Sequence, residues 1–261
     1  MRIASLGSGS GGNATLVDTG DGIIMIDCGF SVAEVERRLE RLSCSLEDIA
    51  AILVTHEHSD HLGGVGSISR KKNLPVYLTH GTAQRLADRH RATAQIIHAD
   101  QPFELHGVSI HPVPVPHDAR EPVQFVFNKA GFKLGVLTDL GSLTAHIMEL
   151  YRGCQMLLVE ANHDLEMLMN GPYPVSLKKR VGGRWGHLNN QQTAEFVQLV
   201  NGDSNLQTLV IGHISKQNNH LDRVKACLLP VTAGIDQIHY ALQDSPLDWV
   251  SCEVHQEKKS A

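Results

Sequence analysis

The chain has 261 residues, 42% of them hydrophobic, a formal net charge of −5 and five cysteines, an odd number with no C-x-x-C pair. That is enough apolar material for a sizeable core, and it excludes a disordered chain, a disulfide-stapled module and a uniformly basic nucleic-acid binder. No window is apolar for long enough to span a bilayer, and Met1-Arg2-Ile3-Ala4-Ser5-Leu6-Gly7 reads as a strand running into glycines rather than a cleavable leader, so a cytoplasmic protein is expected.

In chain order, apolar runs predict strands at 2–6 and 14–19, joined by Gly7-Ser8-Gly9-Ser10-Gly11-Gly12-Asn13, and a third at 23–27 after the hairpin signal Gly20-Asp21-Gly22. Ser31 with Glu34 three residues later is a capping box, and Val32, Val35, Leu39 and Leu42 recur behind it at helical spacing. A buried strand at 49–54 follows, then a short helix at 61–71, a strand at 75–79 and a helix at 82–89. Residues 108–115, 123–129 and 133–138 are β-branched strand segments separated by Pro and Gly. Helices and strands then alternate: helix 143–151, strand 156–160, helix 191–199, strand 208–211, helix 221–229, and strands 235–242 and 249–254 before a frayed polar tail at 257–261. This order, with no linker between the halves, predicts an α/β chain of one domain over residues 1–261, two sheets face to face with helices outside.

The chemistry concentrates where the strand at 49–54 ends. From His56 to His61, three imidazoles and two carboxylates occupy six consecutive positions. His56 and His58 share a face of an extended backbone, and nitrogen and oxygen donors without thiolate suit a hydrolytic divalent site better than a structural zinc knot. His117, Asp139 and His213 each stand where another apolar strand runs out, the same grammar as His56. His80, His90, His98, His106 and His111 lie outside any dense cluster and read as structural or surface residues.

On these residues the chain resembles the metallo-β-lactamase superfamily, whose H-x-H-x-D-H is matched by His56, His58, Asp60 and His61, with a lone His117, a bridging Asp139 and a late His213 in the right order. The resemblance implies the αββα sandwich, two mixed β-sheets packed face to face. It also implies two divalent ions, zinc or manganese with iron compatible with the same donors. His56, His58 and His117 would hold one, Asp60, His61 and His213 the other, and Asp139 both. Water shared by two such ions is the nucleophile, with Asp60 placed to orient it, so no Ser or Cys nucleophile is called for. Asp27 reads equally as a support for the imidazoles and as an ordinary turn carboxylate.

Fold alone does not choose a substrate. Ser8, Ser10 and Asn13 sit in a loop whose amides and hydroxyls suit phosphate, although a tight strand connection uses glycines too. His187 opens Gly186-His187-Leu188-Asn189-Asn190 after the basic stretch from Lys178 to Arg184. It reads equally as a phosphate contact and proton donor, and as a surface histidine beside an N-cap. The likeness narrows to the small single-domain branch of YycJ/WalJ-like exonucleases. Its S-G-S-x-G-N appears as Ser8 to Asn13, T-D-x-G as Thr138-Asp139-Leu140-Gly141, E-A-N-H-D as Glu160-Ala161-Asn162-His163-Asp164, and two G-H motifs end at His187 and His213. That likeness implies a divalent-dependent 5′-to-3′ exonuclease acting on DNA rather than RNA. Two departures bear on the substrate: Asn189 replaces the serine of G-H-L-S-N, and Gln217 stands where an acid is common. The alternative is a small-molecule metallohydrolase of a cyclic phosphodiester or a thioester on the same metals.

Overall fold

The structure is a computed structural model and describes residues 1–86, 93–203 and 205–252. Its strands are β1 (Arg2–Gly7), β2 (Ala14–Asp18), β3 (Ile23–Ile26), β4 (Ile49–Leu53), β5 (Val76–Leu78), β6 (Ala94–Ile96), β7 (Phe103–Leu105), β8 (Val108–Pro114), β9 (Val123–Lys129), β10 (Phe132–Leu137), β11 (Met156–Glu160), β12 (Thr208–Gly212), β13 (Gln237–Tyr240) and β14 (Leu247–Ser251). They form two seven-stranded mixed sheets, ordered β14-β1-β2-β3-β4-β5-β6 and β13-β12-β11-β10-β9-β8-β7. The last strand returns to the first sheet, where it pairs antiparallel with β1.

Strand periodicity explains the layering. Ile24, Ile26 and Leu53 from the first sheet join Phe125, Val136 and Leu158 from the second in one buried cluster between the sheets. Their neighbours Met25 and Ile52 face the other way, toward Val35 and Leu39 of the helix Val32–Glu40 and Ile68 of Val65–Lys72. On the opposite outer face Leu157 and Val159 meet Ile147, Phe196 and Val224 from the helices Ala145–Tyr151, Asn190–Val200 and Leu221–Leu228. Strands buried on both faces read as continuous apolar runs, which is why β3, β4, β11 and β12 were legible without alternation. The result is the expected helix–sheet–sheet–helix stack.

Among the described residues, two strands and two α-helices lie outside the sequence expectation. β6 and β7 have three residues each, too few to show a period. The helices Leu165–Asn170 and Val175–Val181 are short, flanked by Pro172 and Pro174, and expose Leu165, Met169 and Val175, so they lack an apolar stripe. The helix expected at 82–89 is a single turn, His80–Ala83, and residues 87–89 and 257–261 lie outside the described residues. Among the described residues no helix is long and apolar enough to cross a membrane.

β3 and β4 run parallel, as do β10, β11 and β12. Their carboxyl ends bring the polar residues that follow them to one edge of the stack.

Candidate metal centre

Asp27 follows β3, the run from His56 to His61 follows β4, His117 follows β8, Asp139 follows β10 and His213 follows β12. Three of these take left-handed backbone conformations, with φ of 60° at Asp27, 56° at Asp139 and 49° at His213. That region costs a non-glycine residue on the order of 1–3 kcal/mol and is populated mainly where the surrounding structure over-determines it. Here it bends the chain at the strand end and turns each side chain inward.

Asp27 is the organiser of the first cluster. Its Oδ1 accepts the Thr55 N–H at 2.8 Å, and its Oδ2 accepts the Thr55 hydroxyl at 2.8 Å and His61 Nδ1–H at 2.8 Å. Because the Thr55 hydroxyl donates to Asp27, its oxygen accepts from His56 Nδ1, 2.9 Å away. One carboxylate therefore fixes two tautomers and leaves Nε2 of both His56 and His61 as lone-pair donors toward the centre. His117 is set the same way by Nδ1–H donating to Gly186 O at 3.0 Å. His58 Nδ1 lies 2.9 Å from His56 Nε2 and 3.3 Å from His117 Nε2, so three ring nitrogens converge.

Asp139 occupies the middle. It is buried, with Oδ2 at 2.8 Å from His213 Nδ1 and 3.3 Å from His61 Nε2, and Oδ1 at 3.6 Å from His187 Nδ1. The ligand atoms of three triplets fall within 4.8 Å of one another: His56, His58 and His117; His56, His61 and Asp139; and Asp139, His187 and His213. Asp60 belongs to none of these triplets, but its Oδ2 is 3.5 Å from His61 Nε2. The structure thus brings all seven expected ligands to one place and adds His187 to the second half of the cluster.

The charges match the arrangement. Burial, then the neighbouring His61, pushes His56 well below the usual imidazole range, and burial lowers His117. Neutral imidazole is the form that binds a metal. Burial opposes charge on Asp139 and on His61, but the Asp139–His213 and Asp139–His61 attractions outweigh it. Asp139 is held well below, and His61 well above, its ordinary range, so a cation bound through His61 Nε2 would displace a proton there. A buried anion ringed by oriented imidazoles is a donor set that suits divalent cations.

Glu160 is the site residue that sequence reasoning quoted in a motif without giving it a role. It ends β11 and is fully buried. Oε1 accepts the N–H of Leu140, next to Asp139, at 2.9 Å and of Leu188, next to His187, at 3.2 Å. Oε2 is 3.0 Å from His187 Nδ1. Burial opposes protonation of His187, but the Glu160 carboxylate outweighs it and carries the pKa up to about 9. The available signal was the strand-end grammar already used for Asp139: an acid closing the apolar run Met156-Leu157-Leu158-Val159. Asn189, one of the two departures, serves the helix behind His187, its side chain accepting the Gln192 N–H in a capping box.

The glycine loop divides. Ser10 is exposed and lines the cavity over the centre. Ser8 and Asn13 are buried, a correction to their expected contact with phosphate. Ser8 Oγ accepts the His213 N–H at 2.8 Å, and Asn13 Oδ1 accepts the Gly9 N–H at 2.8 Å while its Nδ2 reaches His61 Nε2 at 3.0 Å. Their polar atoms are held within the protein, where they brace two imidazole-bearing turns.

The sequence profile of the β-lactamase superfamily domain matches residues 23–214. The exodeoxyribonuclease YycJ of Bacillus anthracis is 32% identical over 223 residues, covering 84% of this chain and 84% of that protein. The exodeoxyribonuclease WalJ of Streptococcus pneumoniae serotype 2 (strain D39) is 32% identical over 225 residues, covering 84% and 83%. Among solved structures, the metallo-β-lactamase fold protein YhfI of Bacillus subtilis superposes with a TM-score of 0.71 at 16% identity, over 94% of this chain and 97% of that one. The short form of human tRNase Z superposes with a TM-score of 0.67 at 16% identity, over 97% and 100%, which speaks to the fold alone.

Proposed function

The chain belongs to the β-lactamase superfamily, and we propose that it is a cytoplasmic, metal-dependent phosphodiesterase that removes nucleotides from DNA in the 5′-to-3′ direction. The observation that carries this reading is the convergence of His56, His58, His61, His117, Asp139 and His213 beside a Glu160–His187 pair, with His58, His117, Asp139, His187 and His213 lining one cavity. Two relatives with exodeoxyribonuclease names and 32% identity support DNA as the polymer. The 5′-to-3′ direction is the one the resemblance implies.

Two divalent ions, zinc or manganese, fit the donors: His56, His58 and His117 would hold one, His61, His213 and Asp60 the other, with Asp139 facing both. Such ions make water a competent nucleophile near neutral pH and neutralise charge on a phosphoryl group. The protein supplies the remainder. Asp27 holds His56 and His61 with their Nε2 atoms inward. Asp60 is placed to take or orient the proton of the attacking water. His187, kept protonated by Glu160, gives a proton to the departing alkoxide. Ser10 and Arg180, at the cavity wall, offer a hydroxyl and a positive charge to a phosphate.

Purified protein with Mn²⁺ or Zn²⁺ should release mononucleotides from a 5′-phosphorylated duplex, lose that activity on dialysis against a chelator and regain it on metal return. S-lactoylglutathione and a cyclic nucleotide serve as competitors in the same assay. Turnover of the thioester alone would overturn the reading. The alternative, a small phosphodiester, draws on the modest cavity of about 360 Å³, and preferential turnover of the cyclic ester would favour it.

Asp27 provides a separate check. Asp27→Ala should weaken metal affinity by about 10–100-fold, as expected when a residue orienting metal ligands is lost. Competition with a chromogenic chelator would measure it, and unchanged affinity would return Asp27 to the status of a turn residue.

A further inference from the structure

We propose that residues 173–185 form a seat for the single-stranded end of a nucleic-acid substrate, with Trp185 stacking on a base and Lys179 and Arg184 meeting phosphates. The proposal rests on the phosphodiesterase reading and extends it from the reacting bond to the polymer.

Size comes first. The cavity over the centre is about 360 Å³, near the lower end of the roughly 300–1,000 Å³ of small-ligand sites, so a polymer reacting there extends beyond it. A longer strand must leave over the rim. One wall of the cavity is Tyr173, Leu177, Arg180 and Val181, and the same segment continues outward to Arg184 and Trp185.

The charge on this segment opposes that of the chain as a whole. Lys178, Lys179, Arg180 and Arg184 lie between Gly171 and Leu188 with no acid among them, in a protein of net charge −5. Arg180 is engaged by Asp118, and Lys178 Nζ donates to Met169 O at 2.7 Å. Lys179 and Arg184 are exposed, and neither side chain has a partner among the described residues.

Trp185 is the stronger signal. Its side chain is exposed, with 63% of the residue's surface open to solvent, while the backbone carrying it is held at every step. Trp185 O accepts the Asp118 N–H at 3.0 Å, Arg184 O accepts the Ser142 hydroxyl at 3.1 Å, and Gly186 O accepts from His117 Nδ1 at 3.0 Å. Gly141 lets the turn pack so closely that a Cβ there would meet Gly186 N at 2.4 Å and Arg184 C at 2.5 Å. The indole is therefore a bare ring on a rigid mount, bolted to a histidine of the centre. An exposed aromatic ring on a fixed backbone, in a stretch that carries two cations without partners among the described residues and adjoins the cavity wall at Gly186, has the components with which proteins hold single-stranded nucleic acid without reading sequence. Stacking requires an unpaired base, so a frayed or single-stranded end is the fitting occupant and an intact duplex is not.

Binding separates this idea from catalysis. Metal-loaded protein is titrated against a labelled phosphorothioate single strand of about 12 nucleotides, within the ~4–16 nucleotides typical of such surfaces, with fluorescence anisotropy as the readout. Trp185→Ala is expected to weaken binding about ten- to a hundredfold, the size of one lost base stack, and Trp185→Phe to recover most of it. Removing Lys179 and Arg184 together should lower the slope of log affinity against log salt by about 1.4, each single-strand phosphate contact supplying about 0.7. In turnover, kcat/KM for a cleavable oligonucleotide should fall about tenfold relative to that for thymidine 5′-(p-nitrophenyl phosphate).

Unaltered binding in both variants would overturn the proposal, as would equal losses on oligonucleotide and small ester, which would make Trp185 a structural residue. Full-strength binding of a blunt duplex that ignores Trp185→Ala would overturn it too. If the unmodified protein binds the strand through these residues yet hydrolyses neither substrate, the seat stands and the phosphodiesterase reading falls.

Discussion

Asp139→Asn is expected to abolish tight metal binding and to lower turnover about a thousandfold or more. The change is nearly isosteric, so packing around a residue only 2% exposed is preserved while the negative charge is removed. That charge is what His213 and His61 face at 2.8 and 3.3 Å. Without it, the larger of the two attractions that outweigh burial at His61 is lost, leaving that of Asp27, and an amide offers a weaker donor to a cation. Losing metal catalysis is worth several kcal/mol of transition-state stabilisation, which at about 1.36 kcal/mol per tenfold is at least three decades. Metal content by mass spectrometry and turnover on the same preparation would check it, with a thermal melt to establish folding. A variant that keeps both metal and turnover would remove Asp139 from the centre.

His187→Ala is expected to cost about 10²- to 10⁴-fold in turnover on DNA, the range of a lost general acid, with metal content intact. Two features of the structure compete over this residue. Its proximity to Asp139 and His213 makes it a candidate ligand, whereas its hydrogen bond to the buried Glu160 makes it a cation fit to donate a proton. The second is favoured by geometry: the ring nitrogen nearest Asp139 is Nδ1, and that nitrogen already lies 3.0 Å from the Glu160 carboxylate, where a donating N–H offers a metal no lone pair. The leaving group discriminates further. A p-nitrophenolate departs without needing a proton, so the p-nitrophenyl ester should suffer far less from His187→Ala than DNA does. Glu160→Gln should follow the same pattern with a smaller loss. If the alanine variant loses a metal, and both substrates slow equally, His187 is a ligand.

Much of the site was legible because its grammar is local. A strand buried on both faces must be apolar throughout, so the first charged or imidazole residue after it marks the sheet edge. Applied to the ends of β4 and β12, that rule finds His56 and His213 with no knowledge of contacts; His117 and Asp139 likewise follow the apolar closing residues of β8 and β10, although His111 and Lys133 lie earlier in those strands. It finds Glu160 equally well at the end of β11, where the motif was read as a family mark instead. The rule has no purchase on loops. Ser8, Ser10 and Asn13 looked alike as small polar residues among glycines, yet Ser10 faces the cavity while Ser8 and Asn13 turn inward to His213 and His61. Their direction is set by elements far away in the chain, including Gln243, which accepts the Gly11 N–H at 2.6 Å and donates to Gly12 O at 2.8 Å.

The amino-acid sequence alone determined most of the strand–helix order, the two-sheet stack and which strand ends carry imidazoles and carboxylates, because burial pattern and residue chemistry are carried by neighbours along the chain. Tertiary structure decided the pairings. Asp27 serving both His56 and His61, Glu160 spanning Leu140 and His187, and Trp185 mounted on the His117 turn join residues that no spacing rule connects. Each is a hydrogen bond or a close approach, whose worth depends on a few tenths of an ångström in three dimensions, and such distances exist only once the sheets have packed.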